Sequence, residues 1–112
     1  MRGINSIKSS GDFSRVYNHR ESLANKYLVM YILANDLMYS RIGISVSKKV
    51  GNSVVRHRIT RLIRESYRLN KEKLKSGYDV VVIARPSAKG KGFEEIESAY
   101  LHLCRKHNIV QL

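Results

Sequence analysis

The chain of 112 residues carries 21 Lys and Arg against 9 Asp and Glu, a formal charge of +12, and a single cysteine. That length holds one core and therefore one domain over residues 1–112, and so strong a positive balance asks for an anionic partner, nucleic acid first. Excluded are an internal disulfide or cysteine-rich zinc site around Cys104, a membrane span, and a signal peptide within Met1–Asp12, so a cytoplasmic protein without a membrane partner is expected.

Residues 1–9 are polar and basic with little periodicity, which reads as an extended or frayed arm. Ser10-Gly11-Asp12 followed by Phe13, Val16 and Tyr17 predicts a short capped helix reaching about His19. Tyr27 to Ala34 is a dense β-branched and aromatic strand, with Tyr27, Val29, Tyr31 and Leu33 on one face. After the turn signal Asn35-Asp36, Tyr39 to Ser47 alternates: Ile42, Ile44 and Val46 point one way, Arg41, Gly43, Ser45 and Ser47 the other. The short link predicts an antiparallel hairpin, with a further short strand near it, and the small polar face leaves room for something to approach the sheet.

Gly51 breaks the strand and Asn52 or Ser53 caps a helix running to about Leu69. At about 100° per residue, His57, Arg61, Arg64 and Arg68 fall in a band roughly 60° wide, opposite Val55, Ile59, Leu62, Ile63 and Leu69. Arg56 and Arg58 lie on the shoulders of that band. From Arg41 to Lys75 there are eleven Lys or Arg against Glu65 and Glu72, so nine of the twelve excess charges sit in one patch. Glu65 is not enough to neutralise the helix. Lys71, Lys73 and Lys75 extend a polar turn that Ser76-Gly77 ends. Val80-Val81-Val82-Ile83 then forms the middle of a strand, Tyr78 to Ala84, buried on both faces. The basic loop Arg85 to Gly92 reads as mobile, and Phe93, Ile96, Tyr100 and Leu103 mark a terminal amphipathic helix with Glu94, Glu95 and Glu97 in its first turn.

For catalysis by the protein itself the material is weak. Asp12, Asp36 and Asp79 stand in three separate segments, and the three glutamates oppose a helix dipole. No metal-binding or phosphate-loop motif is present. Binding has better support, because single strands are held by cations together with aromatic faces on which bases stack. Phe13, Tyr17, Tyr27 and Tyr31 are the candidate faces, but pattern alone favours a packing role, with Phe13 and Tyr17 seating the first helix on the sheet and the strand tyrosines filling a core edge. A structured-RNA binder, a protein-only endoribonuclease and a helix-turn-helix DNA binder remain open on residues alone, the last disfavoured because a strand precedes the arginine helix.

The run Arg41 to Glu65, with its Ser47-Lys48-Lys49 turn and Arg56-His57-Arg58 helix start, closely resembles the bacterial ribonuclease P protein subunit. Asp12-Phe13-Ser14-Arg15-Val16-Tyr17 and Val81-Val82-Ile83-Ala84-Arg85-Pro86 support it in register. The resemblance implies an α/β two-layer sandwich of the ribosomal protein S5 domain 2 type with a left-handed β-α-β crossover, ordered α-β-β-(β)-α-β-α. It implies as partners a catalytic RNA and precursor tRNA, not DNA, with no obligate protein partner. It also implies Mg²⁺-dependent, RNA-catalysed removal of the 5′ leader, with no catalytic residue in the protein; the Mg²⁺ is expected for the RNA-catalysed reaction, and a metal site on the protein itself stays open. Lys48, Lys49, Asn52, Arg56, His57, Arg58, Arg61, Arg64 and Arg68 would contact the RNA subunit, and Phe13, Tyr17 and Tyr31 the leader. Two departures stand out: His57 where the family usually has Asn, and Arg20 where it often has Gly. His57, when neutral, keeps a donor and an acceptor as Asn does.

Overall fold

A computed structural model describes residues 4–111. Three helices pack on one four-stranded sheet: α1 (Ser10–His19), β1 (Ser22–Ala24), β2 (Leu28–Ala34), β3 (Arg41–Ser45), α2 (Ser53–Asn70), β4 (Tyr78–Ala84) and α3 (Phe93–Lys106). Single 3₁₀ turns follow α2 at Lys71–Lys73 and β4 at Pro86–Ala88. The expected order of elements holds, and β1 supplies the additional short strand.

The expected hairpin does not form. The strand order is β1-β2-β4-β3, with β4 antiparallel to β2 and parallel to β3. β2 and β3 do run in opposite senses, but β4 lies between them. The physical reason is that Val80, Val81 and Val82 are all buried, so β4 needs a neighbour on each side and cover on each face. Residues 35–40 have only to cross two strand spacings, about 10 Å, which six residues span easily. The long α2 supplies the crossover that a parallel pair requires.

The sheet separates two apolar clusters of unequal size. Beneath it, α2 and α3 bury Ile59, Ile63, Tyr67, Ile96, Tyr100 and Leu103 against Leu28, Met30, Ile32, Ile42, Val80 and Val82. Above it, α1 rests on a small cluster of Ile7, Val16 and Val81, with Phe13, Tyr17, Tyr31, Leu33 and Ile83 half-buried around them. The face carrying α1 is thus thinly covered, and its aromatics stay within reach of solvent.

Several local details differ from expectation. Residues 5–7 are not frayed: Ile7 N–H donates to Ile42 O and Ile42 N–H to Asn5 O, each at 2.9 Å, adding an extended segment to the outer edge of β3. Residues 1–3 of that arm lie outside the described residues. Leu69 is exposed, and the buried position at the end of α2 is Asn70, whose Nδ2 donates to Ser66 O and to Glu97 Oε2 on α3. Glu97 thereby serves α2 rather than its own first turn. The loop after β4 is tied, not loose: Arg85 donates to Asn25 O, the Ser87 hydroxyl to Lys26 O, and Arg58 to Lys91 O. Cys104 is buried as expected, and burial pushes its thiol up to about 12.

Candidate nucleic-acid interface

The turn before α2 is oriented by its one apolar residue. Val50 is buried and its N–H donates to Ser47 O at 3.1 Å, which leaves Lys48 and Lys49 exposed. Asn52 caps the helix, its Oδ1 accepting from Val55 N–H at 3.0 Å, so its side chain is already partly engaged. Ile59, Ile63 and Tyr67 face the core at helical spacing. His57, Arg58, Arg61 and Arg68 are consequently exposed, with Arg56 and Arg64 half-buried.

These cations are not equivalent. Glu65, too little to neutralise the helix, pairs with Arg68 three residues on, and the Arg68 guanidinium holds its carboxyl below the usual glutamate range. Arg58 is held by the Lys91 carbonyl. Among the described residues no carboxylate pairs with Arg56, Arg61 or Arg64, and Arg56 Nε is buried without a hydrogen-bond partner. Arg61, exposed and without a carboxylate partner, keeps its full charge for an oxyanion, whereas the buried Arg56 Nε is turned away from solvent.

Phe13, Tyr17 and Tyr31 meet on the opposite layer. The Phe13 and Tyr17 rings lie 6.3 Å apart at 34°, and Tyr17 meets Tyr31 edge-on at 5.0 Å. Gly43 makes this possible: a Cβ there would stand 2.7 Å from two atoms of the Phe13 ring. What approaches the small-residue face of β3 at that point is therefore the chain's own phenylalanine. Burial, the neighbouring Tyr31 hydroxyl and a hydrogen bond with Ser45, in that order, act on the Tyr17 phenol, and the net effect raises it above its ordinary value. Tyr27 stands apart, its ring flanked by Lys26 Nζ at 5.5 Å and Lys91 Nζ at 5.6 Å.

Asp12 and Asp79, far apart in sequence, converge on Arg41. Arg41 Nε donates to Asp79 Oδ1 at 2.9 Å and Nη2 to Oδ2 at 2.6 Å, while Nη1 reaches Asp12 Oδ2 at 3.3 Å. Asn35 Nδ2 adds a bond to Asp79 Oδ1 at 2.9 Å. Burial alone would raise the Asp79 carboxyl, but the Arg41 and Asn35 bonds outweigh it and hold it below the ordinary aspartate range. The network ties the first turn of α1, where Phe13 sits, to β3 and β4. The sequence offered a signal for it: Asp79 interrupts a strand buried on both faces, and a buried carboxylate requires a partner.

The histidines are dispersed. His19 pairs with Glu21, His102 Nδ1 lies 3.1 Å from Asn25 Nδ2, and His107 Nε2 donates to Met30 O at 2.9 Å. Among the described residues no three His, Cys, Asp or Glu side chains gather to hold a metal ion, and no helix is long and apolar enough to cross a membrane.

Comparison with known proteins identifies relatives along nearly the whole chain. The family model described as Ribonuclease P matches residues 1–108. A ribonuclease P protein component of Lachnoclostridium phytofermentans is 59% identical over 105 residues, covering 94% of this chain and 90% of that protein. One from Alkaliphilus metalliredigens is 54% identical over 110 residues, covering 98% and 99%. The solved structure of the Staphylococcus aureus RNase P protein matches with a TM-score of 0.87 at 36% identity, over 95% of this chain and 97% of that one.

Proposed function

The chain belongs to the ribonuclease P protein family, and on that premise we propose that it docks on a catalytic RNA through α2 and guides the 5′ leader of precursor tRNA past α1. One observation carries the division of labour. Arg56, Arg61 and Arg64 lack carboxylate partners among the described residues, while Asp12 and Asp79 are both held by Arg41. Free cations with engaged acids suit binding, not proton transfer at a scissile phosphate.

In this reading Lys48, Lys49, His57 and the unpaired arginines of α2 meet phosphates of the RNA subunit, displacing counterions as they do so. Arg68, paired with Glu65, presents less net charge, whereas Arg58 keeps its full charge and is held in place by the Lys91 carbonyl. Asn52 fixes the start of the helix and offers its remaining amide hydrogens. Phe13, Tyr17 and Tyr31 supply stacking faces for an unpaired leader, each worth about 1–3 kcal/mol per stacked base. Mg²⁺ is expected to serve the RNA. The protein's own donors fit a metal poorly, since both carboxylates near the aromatic site are committed to Arg41. Catalysis then belongs to the RNA, and the protein raises the effective affinity for leader-bearing precursor in the bacterial cytoplasm.

Reconstitution at low Mg²⁺ tests this directly. The cognate RNA subunit is incubated with precursor tRNA, with and without the protein, and 5′ leader release is followed. The protein should accelerate cleavage in the presence of the RNA and release no leader alone. Leader release by RNA-free protein, or no stimulation of the RNA, overturns the reading.

A further inference from the structure

A second cleft, distinct from the aromatic site, opens at the sheet's outer edge. It is an open cleft of about 800 Å³ between residues of the Ile4–Lys8 segment, Tyr39 before β3, and Arg61 and Arg64 of α2, with Arg41, already paired with Asp12 and Asp79, also on its wall. That volume lies within the roughly 300–1,000 Å³ of small-ligand sites. Its chemistry is unusual for a protein surface, because a half-exposed aromatic ring, Tyr39 at 46%, shares a cleft with two guanidinium groups that no carboxylate among the described residues neutralises. Glu65 also borders the cleft, but it is paired with Arg68.

The segment along its rim carries a third element of recognition. Residues 5–7 bond to β3 through Asn5 O and Ile7 N–H, so in an extended chain the Ser6 peptide N–H and C=O point to the opposite, outer edge. A donor and an acceptor on a strand edge match the hydrogen-bonding edge of a base. Phosphate alone would use the arginines and leave Tyr39 and the Ser6 peptide idle. A duplex would present no unstacked base to the ring.

We propose that this cleft is a nucleotide subsite, taking one unpaired nucleotide of an RNA with its phosphate on Arg61 and Arg64, its base on the Tyr39 ring and the base edge at the Ser6 peptide. The assignment of that nucleotide to the ribonuclease P RNA rests on the function proposed above. The existence of the subsite does not. Ser6, Lys8 and Tyr39 thus join Lys48, Lys49 and the α2 cations as RNA-facing residues.

The full chain, labelled with ¹⁵N, is titrated separately with adenosine 5′-monophosphate and with inorganic phosphate. The nucleotide should bind more tightly than phosphate and shift the amides of Ser6, Lys8, Tyr39, Arg61 and Arg64. Because the Tyr39 ring is half-exposed, Tyr39→Ala should fold normally and lose roughly tenfold in nucleotide affinity, while Tyr39→Phe retains it. Nucleotide binding no tighter than phosphate, shifts confined to Phe13, Tyr17 and Tyr31, or an unchanged affinity in Tyr39→Ala overturns the subsite. In the reconstituted holoenzyme, Tyr39→Ala should weaken binding to the catalytic RNA yet keep the preference for leader-bearing precursor over mature tRNA. If the wild-type chain binds the nucleotide as described but not that RNA, the ribonuclease P reading fails and the subsite stands.

Discussion

Gly43→Ala tests how the aromatic site is built. The added Cβ would stand 2.7 Å from Cε1 and Cζ of Phe13 and 3.4 Å from Ile7 Cβ, against an ordinary contact distance near 3.5–4 Å. The ring must give way by about 1 Å, and α1 cannot simply follow it, because Asp12 beside it is bonded to Arg41. Overpacking of this kind costs about 1–3 kcal/mol. Removing the ring removes the conflict: in a Phe13→Ala background the same change should be favourable by about 0.5 kcal/mol, because alanine loses less backbone entropy in a strand than glycine. A double-mutant cycle by urea denaturation should thus show a coupling of about 2 kcal/mol between positions 13 and 43. In the reconstituted holoenzyme, Gly43→Ala should lower affinity for leader-bearing precursor while binding of the RNA subunit is kept. A Gly43→Ala cost that is the same with and without the Phe13 ring would refute the packing argument.

Arg20 adopts φ 62° and ψ 16° as the cap of α1, the left-handed region that favours glycine. Arg20→Gly should therefore raise stability by about 0.5–1 kcal/mol, seen as a higher urea midpoint, and a lower midpoint would contradict it. For Asp79, whose folded carboxyl titrates below its ordinary value, the Arg41 pair stabilises the fold above about pH 4 and the stabilisation is lost as acid protonates it. Asp79→Asn should cost about 3 kcal/mol at neutral pH and flatten the acid limb, so wild-type and variant curves of stability against pH should converge as pH falls through the depressed folded value of Asp79. Parallel curves would remove the pair as the cause. Arg61→Ala should flatten the dependence of log affinity on log salt for the RNA subunit by about one unit, whereas Arg68→Ala, already paired with Glu65, should change it less. Equal slopes for the two variants would show that the intrahelical pair does not govern which arginine meets phosphate.

Helices and strands were legible because their patterns are local. Strand β4 was found at both ends because Tyr78 to Ala84 is bounded by Gly77 and by Pro86, and α2 because Asn52 caps a run with helical spacing. Adjacency is legible only in part: the six-residue link between β2 and β3 satisfies a hairpin and a jump over β4 equally well, and the one signal against the hairpin is the Val80-Val81-Val82-Ile83 run, whose burial on both faces suits a central strand. The end of α2 misled for a related reason. Leu69 is the more apolar residue, but Asn70 meets a specific acceptor, Glu97 Oε2, across 27 residues of sequence. A satisfied hydrogen bond in the interior outweighs a preference that water can leave unmet at the surface.

The candidate site divides along the same line. The cations of α2 follow from helical periodicity, but which of them is free depends on Glu65 and on the Lys91 carbonyl, contacts that sequence spacing only half specifies. The aromatic triad depends on a residue with no side chain at all. Gly43 reads in sequence as an open place on a polar strand face, whereas in the fold it is filled by Phe13, and Asp12, one residue earlier, is fixed through Arg41 to Asp79. The aromatic face is thus positioned by a steric vacancy and an ion-pair network acting on consecutive residues of α1. Since the apolar cluster beneath α1 is small, these two contacts hold the helix where packing alone is thin, and the rings stay half-exposed without the helix drifting from the sheet.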